Sequence, residues 1–222
     1  MDKDHPSKTG EAMTKNVLHK SNKLVHGIGI KGMDYSTKVD GKPSREYGLW
    51  TDMLLRCTKD FQGNNLTYTG TTCSENFKSY TFFYEWCNKQ VGFSSKDENG
   101  KSWHLDKDLL VKGNKVYSED TCVFVPLRLN LLLVKRDKSR GSLPIGVSWS
   151  KTRLAYIAAC NIGYGGERKS KNLGGYSSPE EAFQAYKNCK EACIRQAAEQ
   201  YKAKIDSRVY SALLNYIVSI TD

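Results

Sequence analysis

"SSPEEAFQAYKNCKEACIRQAAEQYKAKI" (residues 177–205) decides the architecture of the second half of the chain. Ser178 is a helix N-cap, Pro179 takes the first helical position where its missing N–H costs nothing, and Glu181 completes an S-x-x-E capping box. Behind the cap, Ala182, Tyr186, Cys189, Cys193, Ala197 and Tyr201 recur at spacings of three and four, which makes one apolar stripe. Small residues in that stripe let the helix lie close to a sheet. The sheet stands upstream. "IGVSWSK" (145–151), "RLAYIAACNIG" (153–163) and "SKNLGGY" (170–176) read as three strands separated by Gly/Lys/Arg turns. "SRVYSALLNYIVSI" (207–220) is apolar enough for a further short helix within 207–222.

The first half follows a different pattern. "SREYGLWTDMLLRC" (44–57) places Tyr47, Trp50, Leu54 and Cys57 on one helical face. "FKSYTFFYEWCNKQVGF" (77–93) makes a second helix with Tyr80, Phe83 and Trp86 as its aromatic face. A loop at 94–102 leads into "WHLDKDLLVKGNKVYSEDTCVFVP" (103–126), which reads as two short strands around the Gly113-Asn114 turn. "PLRLNLLLVKR" (126–136) is a helix with Pro126 in its first turn. The expected fold class is α+β. Residues 1–42 form a flexible basic arm, 43–136 a first module, 137–143 a linker, 144–206 a three-stranded antiparallel sheet on one helix, and 207–222 a terminal helix.

Composition sets the partner class. The chain has 222 residues, a formal net charge of +10, and a hydrophobic fraction of 39%, so it can bury a core and still meet a polyanion. Double-stranded DNA is the expected partner. No long apolar run, basic amphipathic helix or lipidation signal points to a membrane, and the N-terminal stretch has no apolar core of the signal-peptide kind. A cytoplasm-like compartment is the expectation. From Lys135 to Lys171 the chain carries nine Lys/Arg against two Asp/Glu, a basic surface suited to backbone contact or groove reading. The arm is either an inert tail or a further phosphate contact.

Seven cysteines occur, at 57, 73, 87, 122, 160, 189 and 193. The number is odd and no C-x-x-C pair is present, which argues against a disulfide framework or a zinc knuckle. Cys189 and Cys193 lie one helical turn apart. They read as small core residues, with a shared metal as the alternative.

Two resemblances overlie these readings. "IGVSWS", "YIAACN" and "NLGGYSSPEEAFQAYK" resemble, in order and spacing, the ethylene-response-factor (Apetala-type) DNA-binding domain. That family lays a three-stranded sheet in the major groove with a helix behind it. The resemblance implies that Ser148, Ser150, Asn161 and Asn172 read the groove, and that Lys151, Arg153, Arg168, Lys169 and Lys171 hold phosphates. Plant members carry Arg and Trp at several reading positions where this chain has Ser, Ala and Asn.

"YGLWTDMLLRC", "CSENFKSYTFFYEW", "LDKDLLVKGNKVYS" and "TCVFVP" resemble bacteriophage proteins classed with HNH homing endonucleases. These use a ββα-metal module that clasps one divalent ion. Fitted to that pattern, Asp106 and the helical Asn130 are the implied metal ligands and Thr121 replaces the central Asn. Lys107 falls where the family has its general-base His. A lysine flanked by Asp106 and Asp108 stays cationic and suits phosphate holding better than proton abstraction. His104, two residues before Asp106, points to the same strand face and supplies an imidazole suited to activating water. The reading is therefore Asp106, Asp108 and Asn130 for metal, His104 as base and Lys107 as cation. The hard oxygen ligands suit Mg²⁺. The alternatives are a solvated, charge-alternating hairpin and a DNA-binding protein whose HNH-like scaffold has lost its chemistry.

Overall fold

Ser44, Thr58, Ser79, Ser178 and Asp206 each turn a side-chain oxygen onto a backbone N–H of the helix that follows: Tyr47, Phe61, Phe82, Glu181 and Arg208 respectively. Each cap satisfies a donor that the first turn would otherwise leave unpaired, so short polar residues fix where the helices begin. At the longest helix the Glu181 carboxylate returns the bond one residue early, accepting from Ser177 N–H at 3.2 Å rather than from the cap itself.

The computed structural model describes residues 23–134, 141–162 and 169–222 and is α+β. In order, β1 (Lys38–Val39) and β2 (Lys42–Pro43) form a small hairpin, followed by α1 (Arg45–Arg56), α2 (Lys59–Asn64), β3 (Thr72–Cys73) and α3 (Tyr80–Lys89). Then come β4 (His104–Asp106), β5 (Val116–Tyr117), β6 (Val123–Val125) and α4 (Leu127–Leu132). The last part holds β7 (Val147–Ser150), β8 (Ala155–Ile162), β9 (Lys169–Tyr176), α5 (Pro179–Tyr201) and α6 (Ser207–Leu214).

The first part is built on aromatic packing. α1 lies against α3, burying Trp50, Met53 and Leu54 against Tyr80, Phe83 and Trp86. Phe77 meets Trp86 at 4.8 Å and Phe83 at 5.1 Å between centroids, both edge-on, and Phe124 of β6 closes on Trp86 and Phe93. The Trp50 indole N–H is satisfied by the Phe77 carbonyl at 2.8 Å, so this large side chain is fully buried without an orphan donor. Residues 24–42, expected within a flexible arm, fold onto this core instead. Val25 and Ile28 pack against it, and Ile30 bridges to Ser79. Gly29 sits so close that a Cβ there would come within 2.2 Å of Leu54 Cδ1, which ties this segment to α1. Residues 1–22 of the expected arm lie outside the described residues.

The strands flanking Gly113-Asn114 do not pair with each other as the turn signal suggests. β4 pairs antiparallel with β6, Asp106 opposite Val123, while β5 pairs in parallel with β3. Residues 107–122 thus form one long connection between β4 and β6, and α4 follows directly and packs on β4. Pro126 stands as the N-cap of α4, one residue before the position expected for it.

In the last part β7, β8 and β9 form an antiparallel sheet, and α5 lies across it, touching all three strands. α5 is buried along two faces. The expected stripe is only part of this, since Phe183, Ile194 and Ala198 are buried as well. The second face carries Lys187 and Glu191, which bond to the backbone of Val218. The helix expected over 207–222 ends at Leu214, and the chain beyond folds back with Val218 buried. Lys112, from the β4–β6 connection, meets Asp222 at 2.6 Å and the Ile217 carbonyl at 3.0 Å, and Arg208 reaches the Asp120 carbonyl at 3.2 Å. Of the expected linker 137–143, residues 137–140 lie outside the described residues. Among the described residues no helix is long and apolar enough to cross a membrane.

Candidate functional site

Asp106 ends β4 and starts the long connection. Its Oδ1 accepts two backbone N–H bonds, from Asp108 at 2.9 Å and Leu109 at 2.7 Å, so the carboxylate forces a tight turn and is itself held in one orientation. It is 8% exposed. Burial raises its pKa to about 6, and the neighbouring Asp108 carboxylate, within hydrogen-bonding reach, adds to the rise against the opposing pull of the two N–H bonds. Asp108 is exposed, so the pair opens on one side to solvent.

Lys107 is nearly buried, with its ammonium 3.4 Å from Asp108 and 5.7 Å from the centre of the Tyr117 ring. The carboxylate and the ring face together fix the position of the ammonium. His104 shares the strand face of Asp106 but is exposed, and its imidazole has no hydrogen-bond partner among the described residues. Asn130 lies in α4, half-buried, and its side-chain amide makes no hydrogen bond among the described residues. Thr121 closes the connection from inside, bonding Ser118 Oγ at 2.8 Å and the Val116 carbonyl at 3.1 Å. Asn114 does the same from the other end, donating to the carbonyls of Lys107 and Val116 at 2.7 Å each. The expected cluster is therefore brought together in part. Asp106, Lys107 and Asp108 are contiguous, His104 flanks them, and Asn130 sits on the helix that packs against their strand.

The sheet divides the other candidates between two faces. Register sets Ser148 opposite Ile157, Ser150 opposite Ala155, Asn172 opposite Ala159 and Asn161 opposite Ser170. These residues share the face away from α5, which Ala158 and Cys160 occupy from the other side. Lys171 pairs with Cys160 and Lys169 with Ile162, so both lysines belong to the α5 side rather than to the face that holds Asn161 and Asn172. Lys151 and Arg153 lie exposed in the β7–β8 turn, at the edge of the outer face. Arg168 falls outside the described residues.

One cluster was not assembled from the sequence. The thiols of Cys160, Cys189 and Cys193 lie within 4.8 Å of one another and could hold a metal ion. Cys189 and Cys193 share a face of α5 one turn apart, a spacing visible in the sequence, but Cys160 arrives from β8 and only packing brings it there. The Cys160 thiol donates to Cys193, which lowers the Cys193 thiol and raises that of Cys160, and Lys190 and Lys171 pull Cys193 further down.

No protein-family model matches the chain, and no significant match is found among curated proteins or solved structures.

Proposed function

We propose that this chain binds duplex DNA and hydrolyses its phosphodiesters at an HNH-type, metal-dependent site, with the outer face of β7–β9 acting as an ethylene-response-factor-like reader. One observation carries the reading: an antiparallel strand pair joined by a long connection and followed at once by a helix on the first strand, with Asp106 oriented at the strand end and Asn130 on the helix. Asp106, Asp108 and Asn130 offer hard oxygens, which suit Mg²⁺. When bound, that ion supplies Lewis acidity at the scissile phosphate. His104, exposed at the head of β4, takes the proton from the attacking water. Lys107 holds a phosphate oxygen as a fixed cation. Lys151 and Arg153 at the sheet edge contact the DNA backbone, and the Ser and Asn side chains of the outer face approach base edges.

A second reading keeps the DNA binding and drops the chemistry. It is favoured by Lys107 at the family's general-base position, tied to Asp108 and the Tyr117 ring. Supercoiled-plasmid nicking in Mg²⁺ and in EDTA, beside a gel shift in EDTA, separates the two. Nicking in Mg²⁺ alone with a shift in EDTA is the expected result. A shift without nicking in Mg²⁺ or Mn²⁺ establishes the second reading, and no shift at low salt overturns both.

A further inference from the structure

We propose that Cys160, Cys189 and Cys193 form a thiolate site for a soft divalent ion, Zn²⁺ in particular, which fastens β8 to α5 behind the sheet. The geometry is close to what the ion needs. With Zn–S near 2.3 Å, sulfurs stand about 3.8 Å apart in a tetrahedron and about 4.0 Å apart in a trigonal plane. The three sulfurs here all lie within 4.8 Å of one another, so a closure of about 1 Å at most, by side-chain torsions, completes the set. The ligands come from rigid elements rather than from a loop: two from a 23-residue helix at i and i+4, and one from the central strand of the sheet. Cys160 is 1% exposed, while Cys189 and Cys193 are half-buried, so the site has a closed floor and an open side through which an ion enters. No His, Asp or Glu among the described residues joins the group, which leaves the fourth position of a tetrahedron to water.

The charge balance also fits. Three thiolates and a divalent cation carry a net charge of −1, and Lys171, opposite Cys160 on β9, and Lys190, beside Cys189 on α5, offset it. Soft sulfur ligands select Zn²⁺ over Mg²⁺, so the site is chemically separate from the Asp106 carboxylates and owes nothing to the nuclease reading. The ion's effect is mechanical. It links the helix to the strand whose other face carries Asn161, and stabilises the sheet against separation from α5.

The test uses the full chain, reduced and stripped of metal, titrated with Co²⁺ and then with Zn²⁺. Thiolate ligation gives an intense sulfur-to-cobalt charge-transfer band in the near ultraviolet, which carboxylate ligation at Asp106 does not produce. The expected result is a band saturating at one Co²⁺ per chain, bleached by one equivalent of Zn²⁺, with a rise in Tm. Cys189→Ser and Cys193→Ser, at half-buried positions, should each abolish the band while circular dichroism stays native. Cys160→Ser should do the same if it folds, and the other two variants decide the matter if it does not. Cys73→Ser, in the first part of the chain, should leave the band unchanged. No charge-transfer band with the reduced wild type, a band that survives Cys189→Ser and Cys193→Ser, or conversion of the thiols to a disulfide with no metal uptake overturns the proposal.

Discussion

Asp106→Asn isolates the consequence of burying a carboxylate at the start of the β4–β6 connection. The asparagine Oδ1 can keep both backbone bonds, from Asp108 and Leu109 N–H, so the turn survives. Its Nδ2 can donate to Asp108 where two carboxylates now repel. The change removes only the ionisation. In the folded chain burial holds the Asp106 carboxyl at about 6, against an ordinary value of 3.8. A raised carboxyl contributes stability that is fully present below its unfolded value and lost as pH rises through its folded value. Above pH ~7 the wild type therefore carries a penalty of about two pKa units, or about 3 kcal/mol at 1.36 kcal/mol per unit.

Urea unfolding in EDTA should show the variant more stable than the wild type by up to about 3 kcal/mol near pH 8, with the gap closing as pH falls towards 4. Added Mg²⁺ should stabilise the wild type more than the variant, which keeps the Asp108 carboxylate but has lost the charge of Asp106. If Asp106→Asn is destabilised equally at both pH values, the two N–H bonds hold the ionised form strongly enough to cancel its desolvation, and the reasoning fails.

Three further outcomes follow from the same geometry. His104→Ala should lower plasmid nicking by roughly 10²- to 10⁴-fold with DNA affinity nearly intact, whereas Lys107→Ala should act more mildly; the reverse order in a nicking time course assigns the base to the lysine. Duplex affinity measured by fluorescence anisotropy should fall with salt, with a log–log slope of about −4.5 if Lys151, Arg153, Arg168, Lys169 and Lys171 all hold phosphates, and a shallower slope if the α5-side lysines do not. Gly146→Ala should cost about 2–5 kcal/mol in thermal or urea unfolding, because φ is +78° there and a Cβ would stand 2.0 Å from the Tyr186 ring; a cost below about 1 kcal/mol would mean that the close approach is not maintained.

Helices were legible in this sequence because their causes are local. The Ser178 cap and the apolar spacing behind it place α5, and apolar spacing alone finds α1 and α3 within 44–57 and 77–93, while Ser44 and Ser79 set their first residues; α2, six residues with no buried side chain, carries no such spacing and was not read. The short strands of the first part were not legible. β4 and β5 contain three and two residues, too few to carry an alternation, and Gly113-Asn114 looked like a hairpin turn because that dipeptide usually makes one. Here the Asn114 side chain bonds Lys107 and Val116 inside a longer connection, and the partner of β4 is chosen by burial of the apolar Val123–Val125 run. The second buried face of α5 escaped for a related reason. Phe183, Ile194 and Ala198 are interleaved with Lys187 and Glu191, whose charged ends are satisfied by the returning backbone at Val218, a long-range partner that periodicity cannot display.

The division of the sheet candidates has a more specific cause. From Tyr156 opposite Tyr176 to Ala158 opposite Gly174 the β8–β9 register runs without interruption, and then Ala159 faces Asn172. Leu173 is the extra residue of a β-bulge, and one extra residue exchanges the faces of everything beyond it. Uninterrupted alternation from Gly175 would set Lys169 and Lys171 on the outer face beside Ser148 and Ser150, and would turn Asn172 towards α5. The bulge inverts both. It is fastened by the Asn172 side chain, which accepts from Gly174 N–H at 2.9 Å, and by the φ of +121° at Gly174, a backbone conformation that L side chains rarely adopt. A glycine pair after Asn-Leu carries the possibility of a bulge but not its position. Asn172 thus joins Asn161 on the outer face, and Lys171 reaches the side of the cysteines, through one inserted residue whose effect appears only when the strands are paired.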